Sequence, residues 1–166
     1  MLRGCVVSVV LLLSVGVSAA QPDHKTVVGT WQLTSRVDRD SAGNVLEEPS
    51  LGTNPIGYLV YDAFGNVFVQ IMARHRSLAR VDITSPADTD NNSQVGGYDA
   101  YFGRYVIDSL RGTVTHQLEG AISQTDVGRK LTRRLNVQGD TLTIQFEPGA
   151  KGSTRTRTLI WHRVTR

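Results

Sequence analysis

The chain has 166 residues, 40% of them hydrophobic, and carries a formal net charge of +3 with neutral histidines. That charge is too small, and its Lys and Arg too scattered, for nucleic acid or an anionic membrane to be an expected partner. The single cysteine, Cys5, precedes the first apolar run, so beyond it disulfides, thiolate metal sites and cysteine nucleophiles are excluded.

Arg3, the apolar run Val6 to Val17 and the small residues Ser18, Ala19 and Ala20 have the order of a secretory signal peptide. The run is shorter than the roughly 20 apolar residues of a membrane anchor. The expectation is an exported protein, periplasmic or secreted, cut after Ala20 or one residue earlier. Removing 20 of 166 residues leaves 146, the size of one domain over residues 21–166 with a single core.

Beyond this leader apolar and polar residues alternate, the mark of half-buried strands. Trp31, Leu33, Ser35 and Val37 share one face, with Thr30, Gln32, Thr34 and Arg36 on the other. After a Gly, Asn and Pro stretch from Gly43 to Pro55, Tyr58 to Tyr61 and Val67 to Ile71 flank Asp62-Ala63-Phe64-Gly65-Asn66 and read as a hairpin. Ala73 to Gly97 is too long and polar for a tight turn and is expected to form a flap over a barrel mouth, with a helical turn near Tyr98 to Phe102. Strands follow at Tyr105 to Asp108, Thr113 to Glu119, Lys130 to Val137, Thr141 to Phe146 and Arg155 to Val164, with room for a further short one around Ala121 to Thr125.

Eight strands with short connections predict an all-β, up-and-down antiparallel barrel, the closure that leaves no exposed edge. Its expected interior contains Trp31, Leu33, Val114, Leu118, Leu142, Ile144 and Trp161.

Several segments in order resemble the lipocalin-like domain family of bacteria and fungi. They are Gly29-Thr30-Trp31, Asn54 to Tyr61 with Gly65, and the aromatic stretch Tyr98, Phe102, Gly103 and Tyr105. Val114-Thr115-His116, Gly128 before Arg133-Arg134, Gly139 to Leu142 and the closing Leu159 to Arg163 complete the set. The resemblance implies a lipocalin-like barrel in which Trp31 plugs the base and Arg163 stacks over it. It implies no single activity, since most relatives carry no assigned one and a few fungal ones act as cofactor-free cyclases on polyketide-like substrates.

Strand parity turns His116 inward with Val114 and Leu118, and Arg133 inward with Leu131 and Leu135. An inward imidazole suits a ligand carbonyl or acidic hydroxyl, and an inward guanidinium needs a counter-charge that an acidic ligand can supply. Tyr58, Tyr61, Tyr98, Tyr101 and Tyr105 add rings with a hydroxyl at the tip. The expected ligand-binding set is His116, Arg133, Tyr105, Tyr101, Tyr61 and Tyr58, holding a small hydrophobic, acidic or enolic molecule without any cofactor.

The alternative is a cofactor-free cyclase or isomerase in which His116 and Tyr105 act as acid and base and Arg133 stabilises an oxyanion. Asp88, Asp90, Asn92 and Asp99 have the spacing of a calcium loop, but Ser93 stands where such a loop turns on glycine. The four histidines show no zinc spacing, and Gly-x-Ser-x-Gly and phosphate-cradling loops do not occur.

Overall fold

The computed structural model describes residues 22–47, 50–76, 96–146 and 155–165. The expected leader and the Asp88 to Asn92 spacing lie outside them, as does the middle of the expected flap.

A short helix α1 (His24–Val27) leads into β1 (Gly29–Arg39), β2 (Val45–Leu46), β3 (Ile56–Tyr61) and β4 (Asn66–Met72). Then come β5 (Tyr98–Asp108), β6 (Thr113–Ala121), a 3₁₀ turn (Gln124–Asp126), β7 (Lys130–Gln138), β8 (Thr141–Phe146) and β9 (Thr156–Arg163). Each strand from β3 to β9 pairs antiparallel with the next, β1 pairs with β3, and the β1–β9 pairing closes the ring. Eight strands therefore form the closed barrel, and β2 adds two residues beside the far end of β1. All seven residues expected inside are buried.

The base is closed from within. Asp23 and Thr26 cap α1 reciprocally, Thr26 N donating to Asp23 Oδ1 at 2.8 Å and Asp23 N to Thr26 Oγ1 at 3.1 Å. The fully buried Trp31 donates its indole N–H to Val27 O at 2.9 Å. The Arg163 guanidinium lies over the indole and occupies the space that a Cβ at Gly29 would need, where φ is +145°. Gly29 is thus required twice, by its backbone and by its neighbour.

Two departures from simple alternation matter for the site. In β1 the pairing with β9 shifts between Leu33 and Ser35, a bulge in which Thr34 Oγ1 donates to Ile160 O at 2.9 Å. One extra residue exchanges the two faces beyond it. Arg36 and Asp38 therefore point inward and are buried, which corrects the alternation that placed Ser35 and Val37 inside and Arg36 outside. In β5 the run Tyr98 to Phe102 is strand rather than a helical turn, because it pairs residue by residue with Met72 to Phe68 of β4. Long-range pairing outweighs the local signal there. Ala121 ends β6, and the 3₁₀ turn stands where a further short strand had room.

The expected flap keeps its described ends together. Ala73 N donates to Gly97 O and Arg76 Nε to Gly96 O, each at 2.8 Å.

Candidate functional site

The upper half of the barrel, opposite the plug, encloses a cavity of about 20 Å³, room for about one water. Leu59, Val69, Ile71, Ile144, Phe146 and Leu159 form apolar walls, and Leu51, 2% exposed, reaches in from the β2–β3 connection at the rim. The rest of the lining is polar: Arg36, Asp99, Tyr101, His116, Arg133, Arg157 and Trp161.

His116 sits on β6 between two tyrosines from β3 and β5. Its Nε2 lies 2.7 Å from the Tyr61 hydroxyl and its Nδ1 2.9 Å from the Tyr101 hydroxyl. Burial, reinforced by the charge of Arg133, pushes the imidazole pKa well below its usual 6.5, so the ring is neutral at ordinary pH. The same burial pushes Tyr101 up to about 12 and Tyr61 well above 10, so both phenols keep their protons.

Arg133 on β7 is 4% exposed, lies with its guanidinium carbon 4.2 Å from the Phe146 ring centroid and donates from Nη1 to Leu131 O at 3.3 Å. Nearby, Asp38 on β1 accepts from Arg157 Nε at 2.9 Å and from Arg157 Nη2 at 2.9 Å, a bidentate pair. Arg36 and Arg155 add ion pairs to the same carboxylate, each at 3.5 Å. Burial alone would raise the Asp38 pKa, but the Arg157 hydrogen bonds and the three positive charges outweigh it and hold it below the usual carboxylate range. Asp99 on β5 is different. Burial dominates over the charges of Arg36, Arg133 and Arg157, while Asp126 adds repulsion, and the carboxyl is raised to about 7.

Of the six expected site residues, His116, Arg133 and Tyr101 line the cavity, and Tyr61 backs His116 from below. Tyr105 points inward but toward the base: its hydroxyl donates to Asp62 O at 2.8 Å and its ring stacks on His24 at 5.6 Å. It is not part of the cavity lining. Tyr58 lies apart from the other five. Register with Gln32 and Gln70 places it on the outer face, 51% exposed, in a surface hollow beside Tyr98.

Arg36, Asp99, Arg157 and Trp161 belong to the lining and were not among the expected site residues. Asp99 shares parity with Tyr101 and Tyr105, and Arg157 with Leu159 and Trp161, so alternation alone points to both once their strands are extended. Arg36 required knowledge of the bulge. Trp161 was expected in the interior, but its indole N–H has no hydrogen-bond partner among the described residues.

No group of three or more His, Asp, Glu or Cys side chains able to hold a metal occurs among the described residues, and none of their helices is long and apolar enough to cross a membrane.

A closed antiparallel ring of eight strands, with a tryptophan and an arginine sealing one end and a mixed polar and apolar interior toward the other, defines a lipocalin-type barrel. The lipocalin-like domain family matches residues 28–164, and the chain belongs to that family. A search of curated proteins returned no match.

Proposed function

We propose that the protein is an exported barrel that binds a small organic acid, with an apolar body against the cavity walls and an anionic oxygen head among the arginines. The observation that carries this reading is the charge of the enclosed lining: Arg36, Arg133 and Arg157 against one carboxylate, Asp99. Asp38 grips Arg157, and Asp99 holds its proton up to about pH 7. A core that served packing alone would be filled with hydrocarbon, whereas few convergent polar groups in apolar walls are the composition of a ligand site.

The cavity of about 20 Å³ accommodates a head group but not an organic body. Binding the body therefore involves opening of the cavity, whose lining includes the buried Leu51 of the β2–β3 connection. Export is supported by Arg3, the run Val6 to Val17 and the small residues through Ala20. The cyclase or isomerase alternative draws less support, since the Tyr105 hydroxyl is held by Asp62 O away from the cavity and both His116 nitrogens are engaged by tyrosines.

Native mass spectrometry of the protein purified from its own host tests the reading. The expected result is a co-purifying acid recovered unchanged on a chain beginning at Ala20 or Gln21. A transformed compound would move the assignment to an enzyme, and a retained Met1 would end the export claim.

A further inference from the structure

Tyr61, His116 and Tyr101 form a chain of two hydrogen bonds, at 2.7 Å and 2.9 Å, buried in the barrel. With a neutral imidazole the three groups hold three exchangeable protons: one on each phenol and one on the ring. Two protons are consumed by the two bonds. The third is left on a hydroxyl at one end of the chain, and which end depends on the tautomer.

If Nε2 carried the ring proton, it would donate to Tyr61 and leave the Tyr61 hydroxyl proton without an acceptor. Tyr61 is 0% exposed, does not line the cavity, and has no other hydrogen-bond partner among the described residues. An unsatisfied buried donor there is costly. With the ring proton on Nδ1, Tyr61 donates to Nε2, Nδ1–H donates to Tyr101, and the surplus proton sits on Tyr101, which does line the cavity.

We infer that Tyr61 and His116 act as positioning residues that hold Tyr101 as a hydrogen-bond donor toward the cavity, so that the site selects ligands whose head is an oxygen acceptor. This rests on the small-molecule reading and sharpens it. Trp161 supports it independently: a donor-only indole N–H, 1% exposed, belongs to the same lining and has no partner among the described residues. Tyr101 and Trp161 thus both offer protons, and the guanidinium groups of the lining can only donate, while Asp99 is its one carboxyl. A carboxylate is the simplest head that accepts from the Tyr101 and Trp161 donors together. An ammonium or other donor-only head would meet them proton to proton.

Nitrogen-15 NMR of the full chain at pH 7 and titration with benzoate, benzamide and benzylamine form the test. The expected ring signature for His116 is the Nδ1–H tautomer, unchanged between about pH 5 and 8. Benzoate is expected to bind most tightly and to shift the Trp161 indole resonance. Tyr101→Phe, which keeps the ring, is expected to weaken benzoate about tenfold, the loss of one hydrogen bond, and benzylamine hardly at all. An Nε2–H or charged imidazole overturns the inference without any ligand being involved. Benzylamine binding as tightly as benzoate overturns it too and leaves the small-molecule reading standing. Failure of all three compounds to bind overturns both.

Discussion

The Arg163 guanidinium carbon lies 4.0 Å from the Trp31 ring centroid, and its two terminal nitrogens donate to Val28 O at 2.8 Å and Thr26 O at 2.7 Å. One side chain of the last strand thereby fixes both the first strand and the helix that precedes it. Emptying this site should be expensive. Trp31→Ala is expected to destabilise the barrel by about 3–5 kcal/mol, the usual cost of truncating a large buried aromatic. Arg163→Ala is expected to cost about 2 kcal/mol through the lost stacking and charge-assisted hydrogen bonds. Urea unfolding followed by tryptophan fluorescence measures both, and equal midpoints for Trp31→Ala and the parent would show that the base is not sealed by this pair.

A second prediction concerns Asp38, which neutralises a cluster of arginines in the upper barrel. Asp38→Ala removes this counter-charge from the buried Arg36 and Arg157 and is expected to cost about 3–5 kcal/mol. The pH dependence follows from the depressed pKa: the carboxyl binds its proton less readily folded than unfolded. Its contribution to stability is therefore complete above the unfolded pKa near 3.8 and disappears as pH falls through the lower folded value. Acid unfolding of the parent, steeper below about pH 4 than that of an Asp38→Asn variant, is the expected observation.

Most of the barrel was legible because alternation, turn chemistry and spacing agree along β3, β4 and β6 to β9. The Asp62 turn illustrates this: its carboxylate accepts from Phe64 N and Asn66 N, each at 2.8 Å, as a sequence of Asp, Gly and Asn between two apolar runs suggests. The site was legible only in part. His116 and Arg133 follow from parity, but Arg36 and Asp38 are turned inward by one inserted residue near Thr34, and no periodicity locates a bulge before the partner strand is known. Asp99 was hidden for another reason. It opens a strand next to a long polar segment, and only the pairing Ile71 with Asp99 across β4 and β5 fixes its conformation. Tyr58 lies an odd number of residues from Tyr61, so the two tyrosines of that strand cannot both face the interior.

Leu51 gives a third prediction. It is nearly fully buried and lines the cavity, yet it comes from a connection rather than a strand. Leu51→Ala should enlarge the opening while leaving the barrel pairing intact. Stopped-flow binding of benzoate is expected to show association faster by about tenfold, with a smaller change in affinity, because a gate that fills space alters the barrier to passage more than the bound contacts. Unchanged association would mean that ligands pass elsewhere along the rim.

The fourth prediction is a pH dependence of binding that comes from Asp99 and not from the histidine. His116 is already neutral over the relevant range, because burial and Arg133 hold its pKa well below 6.5. Asp99, raised to about 7, faces Arg36 from β1, Arg133 from β7, Arg157 from β9 and Asp126 from the 3₁₀ turn. While protonated it adds no negative charge beside the guanidinium groups. Once ionised it competes for them and repels the ligand. Binding an anion therefore favours the protonated form, and by linkage affinity must fall as pH rises through about 7, by up to about tenfold per pH unit. Stability runs the same way: the unfolded chain loses this proton near 3.8 and the folded one near 7, so the group's stabilising contribution is full below 3.8, is lost as pH rises toward 7, and is gone above it. Asp99→Asn is expected to abolish the pH dependence of benzoate binding and to raise the melting temperature more at pH 8 than at pH 5. Calorimetric titration of the parent and the variant at both pH values separates the two effects. A slope that persists in Asp99→Asn and disappears in His116→Gln would return the switch to the histidine and show that water reaches the ring.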